Sequence, residues 1–152
     1  MKRNAFTLVE LIFVIVVLGI LAAVAIPRLG SNMEHAQIAK AQGDLSAIRV
    51  GIASARQKLL VTGTNAFPSK LDAGVSSNTA GVQIFDTNGS VTILTYPVYT
   101  KSDGWMKTGT YTYTIDIVDT PVPFTYTPAT GLFDCTHGTA DQAQKYCKKI
   151  AE

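Results

Sequence analysis

From Leu11 to Ile26 every residue is Ala, Val, Ile, Leu, Phe or Gly, and nothing else in the chain restricts its folding as tightly. Counted from Phe6, the run covers 21 residues, with Thr7 and Glu10 as its polar members. As a helix it would span roughly 31 Å at about 1.5 Å per residue. That equals the hydrocarbon core of a bilayer, roughly 30 Å. Lys2 and Arg3 precede the run, and a basic N-terminal flank predicts that this end stays in the cytoplasm while the rest crosses. Arg28, just beyond the span, is a mild signal in the opposite sense.

The rest of the chain is a different material. Without the apolar block, the 152 residues read as a Thr-, Gly- and Ser-rich domain, long enough for one fold and too short for two of ordinary size. The net charge of +2 is the charge of Lys2 and Arg3; the remaining 11 Lys and Arg are matched by 11 Asp and Glu. A balanced surface produces no strong field to gather nucleic acid or anionic lipid.

A cleaved secretory signal would explain the basic start, the apolar run and Ala23-Val24-Ala25, a small-x-small pattern ahead of a cut after Ala25. A plain membrane anchor would explain the length. Neither explains Glu10. A carboxylate in an apolar helix costs about 2–3 kcal/mol near the bilayer centre and less toward its edge, so Glu10 requires a partner.

Ala5-Phe6-Thr7-Leu8-Val9-Glu10-Leu11-Ile12, after a short basic leader and before a long apolar run, resembles the class III leader of type IV pilins and pseudopilins. The resemblance implies cleavage by a prepilin peptidase between Ala5 and Phe6 on the cytoplasmic face, then N-methylation of Phe6. The family most often has Gly before the cut, where this chain has Ala5. It further implies that Glu10 meets the Phe6 amine of a neighbouring subunit. Two charges, each costly in an apolar bundle, become tolerable as a pair, and the pair would set axial register as buried polar groups do in coiled coils.

The expected organisation is a cleaved leader (1–5), a transmembrane and assembly helix (6–27), an amphipathic continuation (28–62) and a β-sheet head with a disulfide loop (63–152). Pro27 predicts a bend or a locally melted stretch, or simply the membrane boundary. Ile38, Ala41, Leu45, Ile48, Ile52, Ala55 and Leu59 are spaced 3, 4, 3, 4, 3, 4. This is a helical apolar stripe, either packed on the domain's own sheet or forming a coiled-coil seam. Gly43 and Gly51 each weaken that helix by about 1 kcal/mol relative to Ala.

Beyond residue 62 the period changes to that of strands. Val82–Phe85 and Val91–Leu94 flank Asn88-Gly89, a hairpin signal. Tyr111–Val118 alternates, and Phe124–Thr127 with Leu132-Phe133 brackets a Pro128–Gly131 turn. The fold class expected is α+β: a long N-terminal helix on a small antiparallel sheet. Cys135 and Cys147 suit one loop-closing disulfide in an oxidising compartment; the alternatives are free thiols or a metal site, for which His137 is the nearby third ligand.

No catalytic constellation emerges. His35 lies on the polar side of the helix; His137 beside Cys135 suggests a Cys–His pair, but an oxidised Cys135 would abolish it and no residue supplies the third member, and no phosphate loop or dinucleotide fingerprint is present. Asp116, Asp119 and Asp134 are read as a solvated strand edge and turn rather than a calcium cluster. The aromatic residues Tyr96, Tyr99, Trp105, Tyr111, Tyr113, Phe124 and Tyr126 are read mainly as core, although Tyr111 and Tyr113 would share a face able to stack a ligand. Lys145, Lys148 and Lys149 are read as a solvated helix face. No cofactor, metal or enzymatic activity is expected. The resemblance implies as partners other pilin or pseudopilin subunits, the prepilin peptidase, an assembly platform protein and inner-membrane lipid, and DNA only for a competence pilus. The location implied is the bacterial inner membrane with a periplasmic head, then a filament. A type II secretion pseudopilus is favoured; a type IV or competence pilus, or a membrane-anchored periplasmic binding domain, are the alternatives.

Overall fold

A computed structural model describes residues 7–89 and 91–152, with residues 27–31 described in their backbone only. Two compact units are present, residues 1–36 and residues 37–152. The first holds the N-terminal part of α1 (Leu8–Val61). Thr7 caps this helix: its carbonyl accepts from the Leu11 N–H at 3.3 Å. The side chains from Leu8 to Ile26 are all exposed, and by length and composition this stretch can cross a membrane. The helical backbone continues through Pro27, so the melted stretch is not found. Proline removes a single N–H from the ladder, and the flanking turns keep theirs.

In the second unit the α1 stripe is buried as expected. Ile38, Ala41, Leu45, Ile48, Ile52 and Ala55 are at most 7% exposed, with Leu59 packed at their edge. They lie against the unit's own sheet side chains, which resolves the stripe as a core face rather than a seam. Gly51 has a reason the sequence did not show. A Cβ there would sit 2.4 Å from the Ile93 carbonyl oxygen, whereas at Gly43 it would meet nothing within 4 Å.

The main sheet is antiparallel, in the order β5 (Trp105–Lys107), β6 (Thr112–Ile117), β7 (Thr120–Thr127), β8 (Leu132–Cys135). Alternation along β6 and β7 puts Tyr113, Ile115 and Ile117, and Val122, Phe124 and Tyr126, into the core. The β6–β7 hairpin turns on Val118 and Asp119, both at positive φ. The Val118 N–H donates to Gln37 Oε1 at 2.9 Å. β7 starts earlier than its sequence predicts because Pro121 and Pro123 lie ahead of the segment paired with β8. There no ladder partner needs their missing N–H groups. Thr127 faces Leu132 across the Pro128–Gly131 turn, as expected.

The Asn88-Gly89 hairpin is present but shorter than read. β2 (Thr87–Asn88) pairs with β3 (Val91–Thr92), whereas β1 (Gln83–Ile84) pairs with β4 (Val98–Tyr99). Phe85 causes the split: its φ of +57° turns the chain between β1 and β2. The Leu94 N–H still reaches the Phe85 carbonyl at 3.0 Å. The Phe85 ring is fully buried and lies 4.8–5.5 Å from those of Tyr113, Trp105 and Phe133. The core is therefore aromatic, and its polar tips are satisfied. Trp105 Nε1–H donates to Asp44 Oδ2 of α1 at 3.0 Å. The Tyr126 hydroxyl, pushed up to about 12 by burial, donates to the Pro68 carbonyl at 2.6 Å.

The chain after β8 is a helix, α2 (Gln142–Ala151), which carries Lys145, Lys148 and Lys149 and closes the disulfide loop. Asp141 caps it, accepting from the Gln144 N–H at 2.7 Å, and Tyr146, Cys147 and Ile150 face the core. Gln42 of α1 donates to the Lys149 carbonyl at 2.8 Å.

Candidate assembly site

Glu10 does not stand alone. Its Oε2 accepts the Thr7 N–H at 3.0 Å and the Thr7 hydroxyl at 2.9 Å. The Glu10 N–H in turn reaches Thr7 Oγ1 at 3.3 Å. This is a reciprocal capping box, Thr-x-x-Glu, which satisfies two of the backbone donors left open at a helix start. The negative charge also lies at the positive end of the helix dipole. The sequence reading assigned Glu10 a partner in another subunit and overlooked Thr7, although a Thr three residues ahead of a Glu before an apolar run is itself a capping signature. The two roles are compatible. Thr7 engages Oε2, and a carboxylate keeps acceptor capacity on Oε1. Ala5 and Phe6, the expected cleavage and methylation positions, lie outside the described residues.

Below the cap, Leu8 to Ile26 present apolar side chains around the whole circumference of α1. A helix apolar on all sides is built to be surrounded, by lipid or by protein. Among the described residues, the 37–152 unit exposes no comparable block; its aromatic residues are mostly internal. Trp105, Tyr113, Phe124 and Tyr126 are at most 1% exposed, while Tyr96, Tyr99 and Tyr111 are exposed. Tyr113 and Tyr111 therefore form no shared stacking platform.

The head holds two further polar clusters. Asp72 is fully buried and accepts from Lys107 Nζ at 2.8 Å and from the Tyr113 hydroxyl at 2.6 Å. Burial would raise its carboxyl, but the hydrogen bonds from Lys107, Tyr113 and the Gly74 N–H hold it below the ordinary range. Nothing in the periodicity marked this triad. The second cluster is at the C-terminal end, where Cys135 and Cys147 are disulfide-bonded and join β8 to α2. Asp134 accepts there from Arg49 Nη2 at 3.0 Å and sits 3.1 Å from His137 Nε2. Asp134 is thus an ion-pair partner, not part of an acidic group with Asp116 and Asp119. With both sulfurs bonded, no Cys–His nucleophile pair exists. His35 is exposed, and the three lysines lie on α2 as a largely exposed face.

A family model described as a prokaryotic N-terminal methylation motif matches residues 1–26. A type II secretion system core protein G of Pseudomonas aeruginosa is 39% identical over 51 residues, covering 34% of this chain and 36% of that one. A fimbrial protein of Pseudomonas aeruginosa is 32% identical over 79 residues, covering 51% of each chain. A type IV narrow pilus major component of Thermus thermophilus is 33% identical over 81 residues, covering 52% of this chain and 70% of that one. The chain belongs to the type IV pilin-like family. The matches span about a third of the length of core protein G and about half of the fimbrial protein. No solved structure matches. Pilin-like proteins are filament subunits, and the structural rather than catalytic reading of the chain rests on that membership. The α+β fold, with its long N-terminal helix, agrees with a pilin fold.

Proposed function

We propose that the chain is a structural subunit of a type II secretion pseudopilus and takes part in protein secretion through its N-terminal helix. The observation that carries this reading is the Thr7–Glu10 box heading a stretch of α1 that is apolar on every side. Such a helix needs surrounding apolar partners, and the box presents a carboxylate where a neighbouring subunit's amine can reach it. Before assembly those partners are inner-membrane lipids, with residues 1–5 cytoplasmic and the head periplasmic. A prepilin peptidase cuts between Ala5 and Phe6 and methylates Phe6. The new amine is largely protonated, its unperturbed pKa being about 7.7–8.0. A platform protein and other pilin-like subunits then receive the helix, and Glu10 pairs with a neighbour's Phe6 amine to set register. Similarity to core protein G at 39–45% identity supports the secretion assignment. A type IV pilus subunit is the second reading, favoured by the 70% coverage of the Thermus thermophilus pilus component.

The intact mass of the protein from its native membrane tests the processing: loss of residues 1–5 with one added methyl group is expected, and a cut after Ala25 would overturn it. Glu10→Gln tests the pairing. Thr7 can still donate to the amide oxygen, so the cap survives while the charge is lost; filament yield should collapse, and normal yield would remove the register role. Deleting the chain in its own host separates the two systems. Secreted proteins held in the periplasm indicate the pseudopilus; loss of surface filaments with secretion intact indicates the pilus.

A further inference from the structure

We propose that Asn88 modifies itself once the head has folded: its side-chain amide is hydrolysed to a carboxylate through attack by the Gly89 backbone nitrogen. The site is independent of the filament reading. Asn88 is the one Asn of the sequence that precedes a glycine. Glycine has no side chain to hinder its own nitrogen, and Gly89 stands in the β2–β3 turn at a φ of +59°.

The fold adds what the dipeptide lacks. With its oxygen turned toward the segment ahead of β1, the Asn88 amide accepts from the Ser69 N–H at 3.0 Å, the Lys70 N–H at 3.2 Å and the Ser69 hydroxyl at 2.9 Å. The opposite orientation would set the amide hydrogens against these donors, so the surroundings fix the oxygen inward. Two successive backbone N–H groups converging on one oxygen form a nest of the kind that binds anions. Such a donor set suits a full negative charge better than a neutral amide. The donors are anchored from behind, because Pro68 is buried and its carbonyl accepts from the Tyr126 hydroxyl at 2.6 Å. On the open side, Asn88 and Gly89 line a groove of about 440 Å³ with Leu59, Phe67 and Val91, which gives water access.

In the first step the Gly89 nitrogen loses its proton to solvent and bonds to Cγ of Asn88. The amide oxygen takes up the negative charge inside the nest, as in an oxyanion hole. The Cγ–Nδ2 bond then breaks, and ammonia leaves with a proton taken from water. A cyclic imide remains. The nest still polarises the Cγ carbonyl, so water adds there, the new Cγ–N bond breaks and the Gly89 nitrogen recovers a proton. One water is consumed and one ammonia released; the backbone is restored, with an aspartate at position 88. Water attack on the backbone carbonyl would instead give isoaspartate, with a lengthened main chain.

The test incubates the full chain in detergent micelles in warm, mildly alkaline buffer and follows position 88 by peptide mass, beside a synthetic peptide of residues 84–93. A gain of about one mass unit is expected, at a rate no slower than in the peptide and with a higher ratio of aspartate to isoaspartate. Ser69→Ala removes one donor at an exposed position and should slow the reaction by about 2- to 10-fold. Asn88→Asp should raise the unfolding midpoint of the head at neutral pH. Slower reaction in the folded chain than in the peptide, equal product ratios, an unchanged rate in Ser69→Ala, or a lowered midpoint in Asn88→Asp overturns the proposal.

Discussion

Two carboxylates of this chain sit in apolar surroundings and are satisfied by opposite means. Glu10, at the head of the exposed apolar part of α1, is held by Thr7, three residues away. Asp72, inside the head, is held by Lys107 and Tyr113, 35 and 41 residues away. The first arrangement needs one helical turn and nothing else. It exists whenever the helix does, in a membrane or in a bundle. The second exists only after the sheet has formed, and it ties the segment between α1 and β1 to β5 and β6. Local satisfaction thus keeps the assembly helix ready for a changing environment, while long-range satisfaction makes the head a single cooperative unit.

That contrast can be broken at its strongest point first. Lys107→Met leaves the Asp72 carboxylate buried without its cation, and should cost about 3–5 kcal/mol of head stability, read from chemical denaturation of the full chain in micelles. Adding Asp72→Leu should recover much of the loss, because an apolar pair of similar volume can replace a buried ion pair. The pH profile sharpens the point. The folded Asp72 value lies below the unfolded one, so its stabilisation is complete above about pH 4 and is lost as pH falls through the lowered value. Asp72→Asn should flatten the acid limb of the unfolding profile.

Removing the covalent tie is the next largest perturbation. Cys135→Ser with Cys147→Ser opens a loop of sequence separation 12 and should lower head stability by about 2–4 kcal/mol, with α2 the first segment to lose amide protection. Gly51→Ala should follow at about 1–3 kcal/mol, since its Cβ meets the Ile93 backbone. Gly43→Ala, with open space around it, should instead stabilise by up to about 1 kcal/mol. Equal shifts in the two glycine variants would show that α1 is not pressed on Ile93.

The smallest effect belongs to the local carboxylate. Thr7→Ala should destabilise the first turn of α1 by about 1 kcal/mol, visible as faster amide exchange near residue 10, with the head's unfolding midpoint unchanged. A shifted midpoint would mean that the cap and the head are coupled.

Much of this was legible in the residues because the signals are periodic or local. The stripe from Ile38 to Leu59 names the buried face of α1 without a structure, since a 3–4 spacing leaves a helix one way to bury it. The Asn88-Gly89 and Pro128–Gly131 turns likewise carry their own backbone requirements. The same reasoning found the solvated lysine face of α2 but missed its buried side, although Asp141 ahead of Tyr146, Cys147 and Ile150 offered a cap and a stripe. It also missed the left-handed Phe85 and Val118, because aromatic and β-branched residues at positive φ run against their local preference and hold only when packing imposes it.

The sequence by itself determined the apolar span, the capping box at its head, the amphipathic continuation and the α+β class. Each of these depends on residues within a few positions of one another. Only the tertiary structure decided that β1 pairs with β4 rather than with the hairpin strand, that Gly51 admits the Ile93 carbonyl, and that Asp72 meets Lys107 and Tyr113. It also placed His137 beside Asp134 and close to the Cys135–Cys147 bond. Such pairings bring together residues tens of positions apart, and their geometry comes from how the core closes, which no local pattern encodes.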